Sequence, residues 1–250
     1  MNRTRATLLM LLPLLGASMV SPAKERVGIL HEERSLYTRI LVHKVNDLLC
    51  MKFTLVRSDS NQSCKDLSAP KRLVFAYARM TMTALLFNRQ PQKILIVGLG
   101  GGTLPEAFFE LLDNVKIDTV EIDPAVIKVA KEYFLFEDNE RKRVIAQDAR
   151  VFIKRAILQS TEYDLVILDA FNGDYIPEHL MTKEFLLEVQ KLLSRDGVLI
   201  ANTFGTSKLY DYESNTYQDV FGSFINYKSC LLYTSPSPRD ATLSRMPSSA

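Results

Sequence analysis

From Lys93 onward, apolar runs and helical periodicities alternate at regular spacing. Residues 94–98, 116–121, 142–147, 163–169 and 197–203 read as strands, and residues 103–113, 124–134, 149–159, 182–193 and 213–225 read as amphipathic helices between or after them. Upstream, Ser35–Val45 and Leu48–Val56 are β-rich runs separated by Asn46-Asp47, a hairpin signal, so residues 33–66 read as a small antiparallel unit. Residues 72–87 read as a helix with Leu73, Tyr77, Met80, Ala84 and Phe87 along one side. Five strands alternating with helices predict an α/β fold: a mostly parallel sheet covered on both faces, with ligands at the carboxyl ends of its strands.

The ends of the chain have a different character. Arg3 and Arg5 precede an apolar stretch over Ala6–Ala17 and then the small residues Ser18, Ser21 and Ala23, which has the form of a secretory signal peptide over residues 1–23 and is too short to span a bilayer comfortably. Such a leader predicts a secreted, periplasmic or ER-lumenal protein; without it the chain reads as cytoplasmic. Asn61-Gln62-Ser63 is a glycosylation acceptor sequence, of consequence only in a eukaryotic secretory pathway. At the other end, residues 229–250 are dense in Ser and Pro, lack apolar periodicity and read as a disordered or foreign tail. This leaves residues 67–228 as the main domain, ending before the last hairpin of the fold.

Composition narrows the function. A net charge of +2 and no basic run interleaved with aromatics give no support to nucleic-acid binding. Three cysteines, Cys50, Cys64 and Cys230, with three histidines, are too few and too scattered for a metal cluster, and the cysteines read as buried thiols.

Polar groups gather at the predicted strand ends. The first strand runs into Gly98, Gly100, Gly101 and Gly102, whose backbone can take positive φ and approach a ligand, with helix N–H groups behind it. A simple tight turn is the competing reading, and Thr103 stands where a dinucleotide fingerprint needs its third glycine. Glu121 ends the next strand, 19 positions after Gly102, and its two carboxylate oxygens match the two hydroxyls of an adenosine ribose. Asp148-Ala149 suits an adenine amino group or, equally, a helix N-cap. Asp169 ends an apolar strand and reads as a site acid or as a cap for the following turn.

Together these residues resemble the spermidine synthase superfamily, a branch of the class I AdoMet-dependent transferases, over about residues 33–228. Ser35-Leu-Tyr and Gln62 resemble that family's N-terminal β domain. Tyr77 resembles the tyrosine of its Tyr-His-Glu motif, Val120-Glu-Ile-Asp-Pro-Ala-Val-Ile its ribose-binding strand end, and Thr182-Lys-Glu-Phe the helix after its catalytic loop, while Asp169 falls on its catalytic acid. The resemblance implies a Rossmann-like class I methyltransferase sheet. It also implies a cofactor site of Gln62, Gly98, Gly100, Gly101, Gly102, Glu121, Asp148 and Ala149, with Asp169 as catalytic base or amine-orienting group and Tyr77 and Asp174 as pocket residues. It implies no metal, and pairing into a homodimer through the N-terminal region.

Four positions depart from the synthase pattern. Gly101 stands where the synthases carry an Asp that anchors the ammonium of decarboxylated AdoMet, Asn172 where they carry a second loop acid, and Ala78 and Arg79 where they carry His and Glu. Loss of the loop Asp relieves repulsion against the carboxylate of ordinary AdoMet. The chain therefore reads first as a synthase-like AdoMet-dependent methyltransferase acting on an amine or other small nucleophile. The second reading is polyamine aminopropyl transfer from decarboxylated AdoMet, with Asp174 or Glu178 in place of the lost acids. The third is an inactive AdoMet-binding or structural module, which a secreted location poor in AdoMet favours.

Overall fold

The chain reverses at Asn46-Asp47, where Asn46 takes a φ of 53° between two strands of a four-stranded antiparallel sheet. β1 (Gly28–Arg34), β2 (Arg39–Val45), β3 (Leu48–Phe53) and β4 (Asn61–Asp66) lie in sequence order. The computed structural model describes residues 28–53, 61–170, 176–203, 208–228 and 242–245, so the leader lies outside the described residues. Cys50 on β3 and Cys64 on β4 are register partners and form a disulfide, which corrects the reading of both as thiols. Sequence spacing cannot reveal a cross-strand pair before the register is known. Asn61 is half-buried with its Oδ1 enclosed and Ser63 is buried, a poor setting for a glycan.

The helix expected over 72–87 is shorter. Leu73 bridges to Lys65 in extended conformation, α1 covers Ala76–Thr81, and a 3₁₀ segment follows over Met82–Leu86. The Thr81 and Thr83 hydroxyls donate back to the carbonyls of Tyr77 (3.0 Å) and Met80 (2.6 Å), the local competition that makes threonine a poor helix-interior residue.

From here strand and helix alternate as the sequence predicts: β5 (Lys93–Val97), α2 (Thr103–Leu111), β6 (Lys116–Glu121), α3 (Pro124–Tyr133), β7 (Lys142–Ala146), α4 (Ala149–Leu158), β8 (Tyr163–Leu168), α5 (Lys183–Gln190), β9 (Leu193–Thr203) and α6 (Lys208–Phe221). α6 ends before Gly222, whose φ of 75° breaks the helix, so β10 (Ile225–Lys228) begins where the sequence predicts the end of a helix. β11 (Thr242–Arg245) lies in the segment read as a structureless tail, and pairs antiparallel with both β9 and β10. Main-chain pairing needs extended backbone rather than apolar alternation, so composition did not announce this strand. It leaves β9 paired on both sides.

The larger sheet has the order β10-β11-β9-β8-β5-β6-β7, with β9, β8, β5, β6 and β7 parallel and β10 and β11 antiparallel at one edge. After β7 the chain crosses to the other side of β5, so the crevice at the carboxyl ends of β5 and β8 is the topological switch point, where such sheets bind ligands. Leu95, Val97, Val166, Leu168 and Leu199 face α4, α5 and α6 on one side. Ile94, Ile96, Leu165, Ile167 and Ile200 face α1 and α2 on the other. A third cluster joins Ile40, Val42 and Met51 of the small sheet to Val126 and Val129 of α3 and to Phe134.

Candidate active site

β5 and β8 deliver the two loops of the crevice. Asp169 N donates to Val97 O (2.8 Å), and Gly98, at φ 102°, lies so close to the Asp169 carbonyl that a β-carbon there would collide with it. Gly100 and Gly102 also take positive φ, 53° and 78°. The glycines make room first for the protein itself: side chains at 100 and 101 would press on Ser63 of β4, and at 102 on Phe136. The loop is thus clamped between the small sheet and Phe134 and Phe136, which follow α3, with half-buried Gln62 beside Ser63 on the same strand.

Glu121 closes the floor of this loop. Its Oε2 accepts from Leu99 N and its Oε1 from Asp123 N, both at 3.0 Å. Burial pushes the carboxyl above the usual carboxylate range, the Asp123 charge adds to that, and the two N–H groups oppose it. Each oxygen keeps a second lone pair for a ligand hydroxyl. Asp148 caps α4, accepting from Val151 N at 2.9 Å, and stands 3.3 Å from His179 Nε2, with Ala149 buried behind it.

Asp169 and Tyr77, 92 residues apart, meet at the crevice. The Tyr77 hydroxyl donates to Asp169 Oδ2 (3.3 Å) and Asn202 Nδ2 donates to Asp169 Oδ1 (2.9 Å). Burial raises Asp169 to about 7, against the two hydrogen bonds and with help from the Glu121 charge. A carboxyl poised near neutrality can accept a proton from an amine and pass it on. Asn202 is absent from the sequence reading. Its signal was a polar residue ending the apolar run of the predicted strand 197–203, at the same edge of the sheet as Asp169. Asp174 and Asn172 lie outside the described residues, and Glu178 is exposed on a short 3₁₀ turn.

Residues 74–239 match the spermine/spermidine synthase domain. The chain belongs to that family. It is 53% identical over 201 residues to a polyamine aminopropyltransferase of Vibrio vulnificus (strain CMCP6), covering 80% of this chain and 67% of the relative. An N-terminal histidine N-methyltransferase of Emericella nidulans is 38% identical over 118 residues, which is 46% of this chain and 20% of that protein. Among solved structures, a probable spermidine synthase from Corynebacterium glutamicum superposes with a TM-score of 0.71 at 21% identity, covering 88% of this chain and 80% of its own, a likeness of fold. The chain is a transferase of the spermidine synthase type.

The first reading of the sequence, methyl transfer, is thereby corrected. The match to the aminopropyltransferase is both closer and longer than that to the methyltransferase. The structure explains why the departures misled. A β-carbon at Gly101 would lie 2.6 Å from the Phe134 ring and 2.9 Å from Ser63 Oγ, so position 101 faces protein. Ala78 is 2% exposed in the core, and Arg79 folds back onto the carbonyls of Leu73 and Val74 at 2.7 and 2.8 Å.

Proposed function

We propose that this chain transfers an aminopropyl group from decarboxylated AdoMet to the primary amine of a diamine or polyamine. The observation that carries the reading is the Asp169–Tyr77 pair at the switch-point crevice of a chain 53% identical to a polyamine aminopropyltransferase. The donor fits the residues present: Glu121 takes the ribose diol, Asp148 and Ala149 meet the adenine, and the Gly98–Gly102 loop with Gln62 forms the cradle beside them. Asp169 and Tyr77 orient the acceptor amine. The amine lone pair attacks the propyl carbon bonded to sulfur, and that C–S bond breaks with its electrons passing to sulfur. Neutral methylthioadenosine leaves and Asp169 receives the proton from nitrogen. A thioether needs no acid to depart, so the protein's work is alignment and proton removal.

Incubating the protein with decarboxylated AdoMet and a four-carbon diamine, and separately with AdoMet and the same diamine, tests the reading. Release of methylthioadenosine with an aminopropylated product is expected in the first. Its absence across diamines and triamines of several lengths overturns the proposal.

The Cys50–Cys64 bond supports reading the leader as an export signal, since disulfides persist in oxidising compartments, and there the proposed transfer would depend on decarboxylated AdoMet being supplied to that compartment. Alkylation of these two thiols in protein taken directly from cells, without added reductant, would oppose that assignment.

A further inference from the structure

Asp169 is approached from several elements. Tyr77 on α1 and Asn202 on β9 each bond one of its oxygens, and Glu121 on β6 is the charged group whose field reaches it. On α6, buried Glu213 lines a small cavity together with Asn202, Leu168 and Ala170. Asn202 is delivered by a strand paired on both sides, next to the Leu168–Ala201 register with β8 and itself opposite Leu243 of β11. Its position is therefore set by the sheet rather than by a loop. An ionised carboxylate only accepts hydrogen bonds, so the amide must present its NH₂ end to Asp169.

We propose that Asn202 is a positioning residue of the transfer: its amide holds Asp169 by Oδ1 and leaves Oδ2, beside the Tyr77 hydroxyl, as the oxygen that receives the proton of the attacking amine. The amide also favours the charged form of a carboxyl that burial otherwise drives toward its neutral form. The kinetic part of this inference rests on the aminopropyl-transfer reading, whereas the state of Asp169 does not.

Two substitutions and two readouts test it. In Asn202→Ala the donor is lost, so the acid limb of the pH profile of kcat/KM moves upward by about one pH unit, leaving activity several-fold down at pH 7 and largely recovered at pH 9. Asn202→Asp, nearly the same shape, removes the donor and adds a carboxyl, and moves the limb further. The Asp169 carboxyl carbon, followed by NMR and assigned with Asp169→Asn, titrates higher in both variants whether or not any acceptor is turned over. An unmoved Asp169 titration in folded Asn202→Ala or Asn202→Asp, or a rate loss equal at every pH, overturns the proposal. Absence of turnover in the unmodified protein with a shifted Asp169 titration overturns the transferase reading instead.

Discussion

The ring of Phe134 fills the space into which a side chain at Gly101 would project, 2.6 Å from the position of its β-carbon. Gly101→Asp therefore costs stability by about 2 kcal/mol, through overpacking, rather than placing an acid against a ligand. Chemical denaturation measures the loss, and adding Phe134→Leu to the same protein should return part of it. Unchanged stability together with a shifted donor preference would put position 101 back in the ligand site.

Asp169→Asn keeps methylthioadenosine binding and abolishes turnover, because an amide cannot take the amine proton. It also changes the pH dependence of folding. Asp169 has an ordinary value of 3.8 and a folded value of about 7, so between these the native state holds a proton that the unfolded chain has lost. Stability of the unmodified protein thus falls as pH rises from about 4 to 7 and then levels. Asp169→Asn lacks this loss, and should be the more stable protein at pH 8, with the gap closing toward pH 4. Thermal unfolding of both proteins at the two pH values checks the sign.

Glu121→Ala removes the acceptor for Leu99 N and Asp123 N as well as the proposed ribose contact. Methylthioadenosine affinity should fall by about 1.5–3 kcal/mol, as measured by titration calorimetry. An equal affinity in a folded variant would remove Glu121 from the nucleoside site.

The disulfide joins Cys50 and Cys64, 14 residues apart, in the strand pair that carries Ser63. Replacing both by Ser should lower stability by about 3 kcal/mol, because the unfolded chain regains a closed loop's freedom. A midpoint of denaturation that is the same for the replaced, reduced and oxidised proteins would show that no bond forms.

The parallel sheet was legible because Ile94–Val97 and Leu165–Leu168 are apolar on both faces, and both faces are in fact covered. Glu121 and Asp169 were legible as acids interrupting such runs at the carboxyl end. The roles of Gly101, Ala78 and Arg79 were not, because a residue's position in a motif does not say which way its Cβ points, and here two point into protein and the third side chain returns to the main chain. Asn202 escaped for a related reason: its chemistry exists only through the neighbour that β8 brings alongside β9. Cys50 and Cys64 needed the β3–β4 register, and β11 needed a partner strand, neither of which is local information.

Strands β1–β4 and α3 share a core, in which Ile40, Val42 and Met51 meet Val126, Val129 and Phe134, and Ser35 Oγ donates to Asp123, the N-cap of α3, at 2.5 Å. The seam between the two sheets is thus not where the polypeptide passes from one to the other near residue 67. A chimera that exchanges only residues 28–66 between relatives mismatches both the apolar interlock and the Ser35–Asp123 bond. One that carries residues 123–134 along keeps them paired, so successful recombination within this family should favour breakpoints that travel with α3.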